Sequence, residues 1–96
     1  MGVDPRVERI AEATGDDEAT ILRRGLQSYL QQELREVSTR IKELSGKYDV
    51  DAPAELEELI REGDVDEHPA WEEVIEWENL ETRATTLERL LNDIDG

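Results

Sequence analysis

The sequence predicts an all-α fold, and three observations carry that prediction. Apolar residues recur at helical spacing along two long stretches. Proline and glycine fall where helices start and stop. Hydrophobic residues make up 36% of the 96 and charged residues 39%, a balance suited to a thin helical hairpin or coiled coil rather than a thick-centred globule. The expected architecture is an antiparallel hairpin of two long helices, about 17–45 and 69–94, with short helices at about 5–13 and 53–62. A chain of this length forms one domain, 1–96, and buries only part of its surface. Helical monomers of this kind often complete their core by pairing, so a homodimer is expected.

The first helix opens at Asp4-Pro5, a capping residue followed by proline at the first helical position. Val7, Ile10 and Ala11 form a short apolar stripe, and Gly15 marks the stop. The sequence leaves segment 1–15 free to dock on the hairpin or to swing. The second helix restarts at Asp16 or Asp17, with acidic residues in its first turn. At 100° per residue, Leu22, Leu26, Tyr29, Leu30, Leu34, Val37, Ile41 and Leu44 fall within about 140° of arc. Steps of four and three from Leu26 to Leu44 approximate a heptad. The helix is expected to end near Leu44, with Gly46 beyond it. Gly25 interrupts its flank at a cost of about 1 kcal/mol against alanine, and it lets another backbone come close.

Asp51 and Pro53 announce a short third helix with Leu56, Leu59 and Ile60 inward and Gly63 as its stop. Pro69 opens the fourth. Trp77, Leu80, Ala84, Leu87, Leu91 and Ile94 step by three and four, a regular a/d seam. Trp77 is therefore core. Trp71 lies 600° of helical turn before it, and with Ile75 falls on roughly the opposite side. Either the short third helix folds back over Trp71, or a partner covers it.

Net charge is −15, and it is unevenly spread. Residues 1–48 carry eight Lys/Arg against nine Asp/Glu; residues 49–96 carry three against seventeen. That field repels nucleic-acid phosphates and steers a basic partner toward the second half. With 26 Asp/Glu and only two lysines, Lys42 and Lys47, against nine arginines, the surface also fits a halophile's cytoplasm. No cysteine is present, so thiolate and disulfide chemistry are excluded. "MGVDPRVERI" has no apolar signal core, and no segment approaches a membrane-spanning length, which points to a cytoplasmic location.

No catalytic constellation emerges. His68, the single histidine, sits among Asp64, Asp66 and Glu67 without a recognised ligand spacing, and reads as a capping or solvated residue. Carboxylate pairs such as Glu57-Glu58 and Glu72-Glu73 read as solvated surface, because acid–base work needs a cleft. No glycine-rich phosphate loop occurs. No metal, cofactor or enzymatic activity is expected. Arg23, Arg24, Arg35 and Arg40 form the main basic cluster. They can meet phosphates, or pair with the chain's own carboxylates, as Glu36 with Arg40 at i,i+4.

"IAEATG" at 10–15 and "ILRRGLQSYL" at 21–30 resemble the helices of the ribbon-helix-helix family; residues 10–34 carry the likeness. That family reads DNA with a strand ahead of these helices, and only "MGVD" precedes the first helix here, so the strand is expected to be missing. From "LQQELREVSTRIKELSGKYDV" to "EWENLETRATTLERLL" the chain is similar to short helical antitoxins of prokaryotic toxin–antitoxin pairs. The likeness implies a protein that binds and masks a partner. The expected function is thus a non-enzymatic interaction module, antitoxin-like, covering a basic protein with Trp71, Ile75, Glu72, Glu76 and Glu78. The alternative is a dimeric transcription regulator that meets DNA phosphates through Arg23, Arg24, Arg35 and Arg40.

Overall fold

The computed structural model describes residues 4–95; the part of the N-terminal reading that concerns residues 1–3 lies outside them. Four helices and no strand occur among the described residues: α1 (Pro5–Thr14), α2 (Glu18–Tyr48), α3 (Pro53–Glu62) and α4 (Glu67–Asp95). The all-α hairpin is as expected. α2 and α4 run antiparallel, α3 folds onto α4, and α1 packs on α2. The result is a rod of 62 × 22 × 22 Å.

The helix ends show how local chemistry sets the boundaries. Asp4 caps α1 by accepting the Arg6 N–H at 2.8 Å. Gly15 ends α1 at φ 83°, a left-handed conformation that glycine adopts without strain. Asp17 caps α2 by accepting the Thr20 N–H at 2.7 Å. α2 does not stop near Leu44. It runs through the exposed Gly46 to Tyr48, because Leu44 is fully buried and Tyr48, one turn on, packs against the same cluster. Asp49 then takes the left-handed turn at φ 54°, a conformation aspartate tolerates better than most residues. At α3, Ala52 makes no side-chain cap; the Glu55 carboxylate instead reaches back to accept the Asp51 N–H at 3.0 Å. Gly63 closes α3 at φ 79°, and the Asp64 N–H donates to the Leu59 carbonyl, as in a Schellman turn. His68 breaks the start of α4 with extended backbone, φ −116° and ψ 123°. The residue before a proline avoids the helical region, so the continuous helix begins at Pro69, as expected.

Two buried clusters lie along the rod. Leu44, Leu56, Ala70, Val74 and Trp77 form one, where α2, α3 and α4 meet. Leu30, Val37 and Leu87 form the other, between α2 and α4 alone. Ile41 and Leu80 pack against both and join them. The arc read on α2 as a single core face divides here. Leu30, Val37 and Leu44 are buried, but Leu22, Leu26 and Tyr29 are 49%, 54% and 61% exposed. An arc of about 140° is wider than one neighbouring helix covers. Steps of three and four back from Leu34 and Leu30 reach Gln27 and Arg23, which leaves Leu22, Leu26 and Tyr29 on the flank.

Candidate protein-binding surface

The acidic end of the rod is built from the last turns of α2, all of α3 and the first turns of α4. Residues 49–80 hold thirteen Asp/Glu and one arginine. The core beneath is tight: Trp77, Leu44 and Leu56 are fully buried. The Trp77 indole N–H has no hydrogen-bond partner among the described residues.

Beside this core sits a buried carboxylate. Glu73 is only 8% exposed and accepts from Lys47 Nζ at 2.6 Å, from Tyr48 Oη, and from Arg40 Nη2 at 3.4 Å. Burial alone would raise its pKa, but the hydrogen bonds from Lys47 and Tyr48 and the charges of Lys47 and Arg40 outweigh it. The group is held below the ordinary glutamate range. Its hydrogen bond raises the Lys47 pKa in turn. Burial, reinforced by the Glu73 charge, raises that of Tyr48. The sequence context of Glu73 suggests solvated surface, yet it stands four residues before Trp77, so the a/d rhythm extended backward passes through it. A carboxylate on the seam needs cations, and Lys47 supplies one from the end of α2.

Glu76, read as a partner-binding residue, is held within the chain. Arg40 Nε donates to it at 2.6 Å and Arg40 Nη2 at 2.9 Å. These bonds lower the Glu76 pKa and raise that of Arg40. Arg40 also meets Glu43 at 3.2 Å. The expected i,i+4 pair with Glu36 is not among its ion pairs; its guanidinium is taken up by Glu76, Glu73 and Glu43. Of the other arginines in the basic cluster, Arg24 stands 3.7 Å from Asp16. Arg23 and Arg35 make no ion pair among the described residues. Arg35 lines an open groove on α2 with Lys42, Leu34 and Thr39.

Trp71 and Ile75 stand one turn apart on the outer side of α4, 47% and 51% exposed. α3 covers Trp71 in part: with Ile60, Glu57, Arg61 and Glu67 it lines a shallow pocket of about 240 Å³. Ile75 borders a neighbouring groove with Glu72, Glu76, Asn79 and Leu80. Glu72 and Glu78 are exposed beside them; His68 Nδ1 approaches Glu72 at 3.5 Å. The third helix therefore folds back over Trp71 only in part and leaves about half of the residue open. The structure thus brings Trp71, Ile75, Glu72 and Glu78 onto one open surface and turns Glu76 toward Arg40.

Among the described residues, no group of three His, Cys, Asp or Glu side chains is placed to hold a metal ion. No helix there is long and apolar enough to cross a membrane. Compared with known proteins, the chain matches over residues 1–96 the family described as "Uncharacterized protein MJ0235 family", and it belongs to that family. No curated protein and no solved structure gives a significant match.

Proposed function

We propose that this member of the family is a non-enzymatic protein-binding module that masks a basic surface of a partner protein. The observation that carries the reading is the pair Trp71 and Ile75, each about half exposed, set in the most acidic third of the chain. Tryptophan on an open surface, backed by a rigid core and ringed by carboxylates, has the character of an interface anchor. Glu72 and Glu78 supply the negative rim. Such a rim raises the on-rate for a cationic partner more than it raises affinity. Glu76 acts indirectly, holding Arg40 and with it the α2–α4 packing beneath the surface. In its finer form the proposal is antitoxin-like, with the basic partner an effector that is silenced while covered.

The regulator reading draws less support from the geometry. Two of its four arginines, Arg24 and Arg40, face carboxylates of the same chain. Arg23 and Arg35 remain as phosphate contacts, too few for strong binding at physiological salt.

The test is a binding titration with the basic protein recovered alongside the tagged chain. Trp71→Ala should weaken binding by about 2 kcal/mol or more, roughly thirty-fold in Kd, while helicity and Tm hold. Loss of helicity in Trp71→Ala would make Trp71 a core residue and end the assignment. Upstream DNA of its own gene should show no binding even at low salt; a steep salt-dependent shift would favour the regulator.

A further inference from the structure

We propose that the opposite, less acidic end of the rod is a self-association surface, where α2 of one copy packs antiparallel across α2 of a second. The first observation is a change in the α2–α4 rim. Arg40 pairs with Glu76, and one heptad toward the tip Glu33 pairs with Arg83 at 2.6 Å. One heptad further, the same register sets Leu26 beside Leu90. The two rungs of ions give way to two leucines, 54% and 43% exposed. Tyr29 and Leu22 continue the apolar flank along α2 and are equally open.

The second observation is Gly25, which lies in the middle of this flank, three residues after Leu22 and four before Tyr29. A β-carbon placed there would meet nothing within 4 Å. No contact among the described residues calls for a glycine at this point, where it weakens the helix. A second helix backbone approaching closely does explain it. With Gly25 at the crossing, two-fold symmetry sets Leu22 of each copy across from Tyr29 of the other, and Leu26 over the partner's Gly25. The same patch serves both copies, as an isologous contact requires.

The third observation selects a second copy as the occupant. This end, residues 4–34 of α1 and α2 with 81–95 of α4, carries six Lys/Arg against eleven Asp/Glu, where residues 35–80 carry five against fifteen. Two such rods repel least at this end. Meeting tip to tip places the acidic ends, on rods 62 Å long, many Debye lengths apart. The arrangement also leaves Trp71 and Ile75 of both copies open.

Sedimentation velocity of the full chain in molar salt, over a range of concentrations, tests the proposal. The wild type should be a dimer. Leu26→Glu and Gly25→Gln should each raise the dimer dissociation constant at least a hundredfold, with the helical signal retained. Trp71→Ala should leave the dimer intact. Glutamine at position 25 meets open space within the chain, so a folded monomer of that variant isolates the contact even if Leu26→Glu fails to fold. A wild type that is monomeric at every concentration overturns the proposal. So does a dimer that survives Gly25→Gln, or one that dissociates with Trp71→Ala.

Discussion

At the turn-rich end of the rod, Leu44, Leu56 and Trp77 are fully buried; at the other end, Leu22, Leu26 and Tyr29 stand about half exposed or more. The same two helices run through both regions. The difference is the third helix: α3 closes the groove between α2 and α4 at the acidic end, and the flank of the hairpin at Leu26 and Tyr29 has no such cover. Two helices bury a seam, and three bury a core. The contrast extends to charge. The acidic end places its repelling carboxylates over its best packing, and one of them, Glu73, is taken inside and neutralised by cations. The less acidic end has the weaker packing and the open apolar stripe.

The largest effect expected from this contrast is in the core. Trp77→Ala should cost about 3–5 kcal/mol and Leu44→Ala about 2–5 kcal/mol. Leu26→Ala, measured on the dilute chain, should cost under about 1 kcal/mol. Denaturant titration of the three variants checks the ordering; equal losses would remove the distinction between the ends. Trp77→Phe should cost less than its lost volume suggests, because the unpartnered indole N–H goes with it.

The buried carboxylate comes next. Glu73→Gln should destabilise by about 1–3 kcal/mol at neutral pH. Because its folded pKa is depressed, Glu73 contributes stability that is present above the ordinary glutamate value of 4.5 and is lost as pH falls through the folded value. The gap between wild type and Glu73→Gln should therefore be constant from that pH up to the range where Lys47 and Tyr48 titrate, and shrink as pH falls below it. A gap indifferent to acid would mean that Lys47 and Tyr48 do not hold the carboxylate as described.

A smaller and more diffuse effect is expected from salt. Thirteen carboxylates and one arginine between residues 49 and 80 repel one another in dilute buffer, so Tm should rise with ionic strength. A Tm unchanged between low and molar salt would argue against the halophile reading. The smallest effect is at exposed ion pairs. Arg61→Ala, which removes contacts to Glu57 and Glu58 on the surface of α3, should shift stability by under about 1 kcal/mol.

Much of the fold was legible in the sequence, because its signals are local. Asp4-Pro5, Gly15, Pro53, Gly63 and Pro69 each mark a boundary through their own backbone preferences. The seam from Trp77 to Ile94 was readable from spacing alone. What could not be read depends on where neighbours sit. Gly46 looked like a stop, but buried Leu44 and partly buried Tyr48, packed on the same cluster on either side of it, carried α2 onward. The apolar arc of α2 had no mark to separate the residues facing α4 from those on the flank. Glu73 resembled its neighbour Glu72 in type, and only its phase relative to Trp77 distinguished them. Trp71 was placed on the outer face by helical phase, and the structure adds the partial shield from α3. Glu76 shows the limit of composition as evidence: an acidic residue in an acidic segment can still be spoken for by an arginine 36 positions away.

The central claim is that the acidic end binds a basic partner through Trp71 and Ile75. The most direct measurement is parallel recovery of the tagged wild type and a Trp71→Ala, Ile75→Ala double variant from the cells that make it. Each sample is followed by quantification of what co-purifies and by circular dichroism. The account predicts one stoichiometric basic protein with the wild type, lost from the double variant at unchanged helicity. Equal recovery of that protein by both, or a wild type that brings down no basic protein, would contradict it.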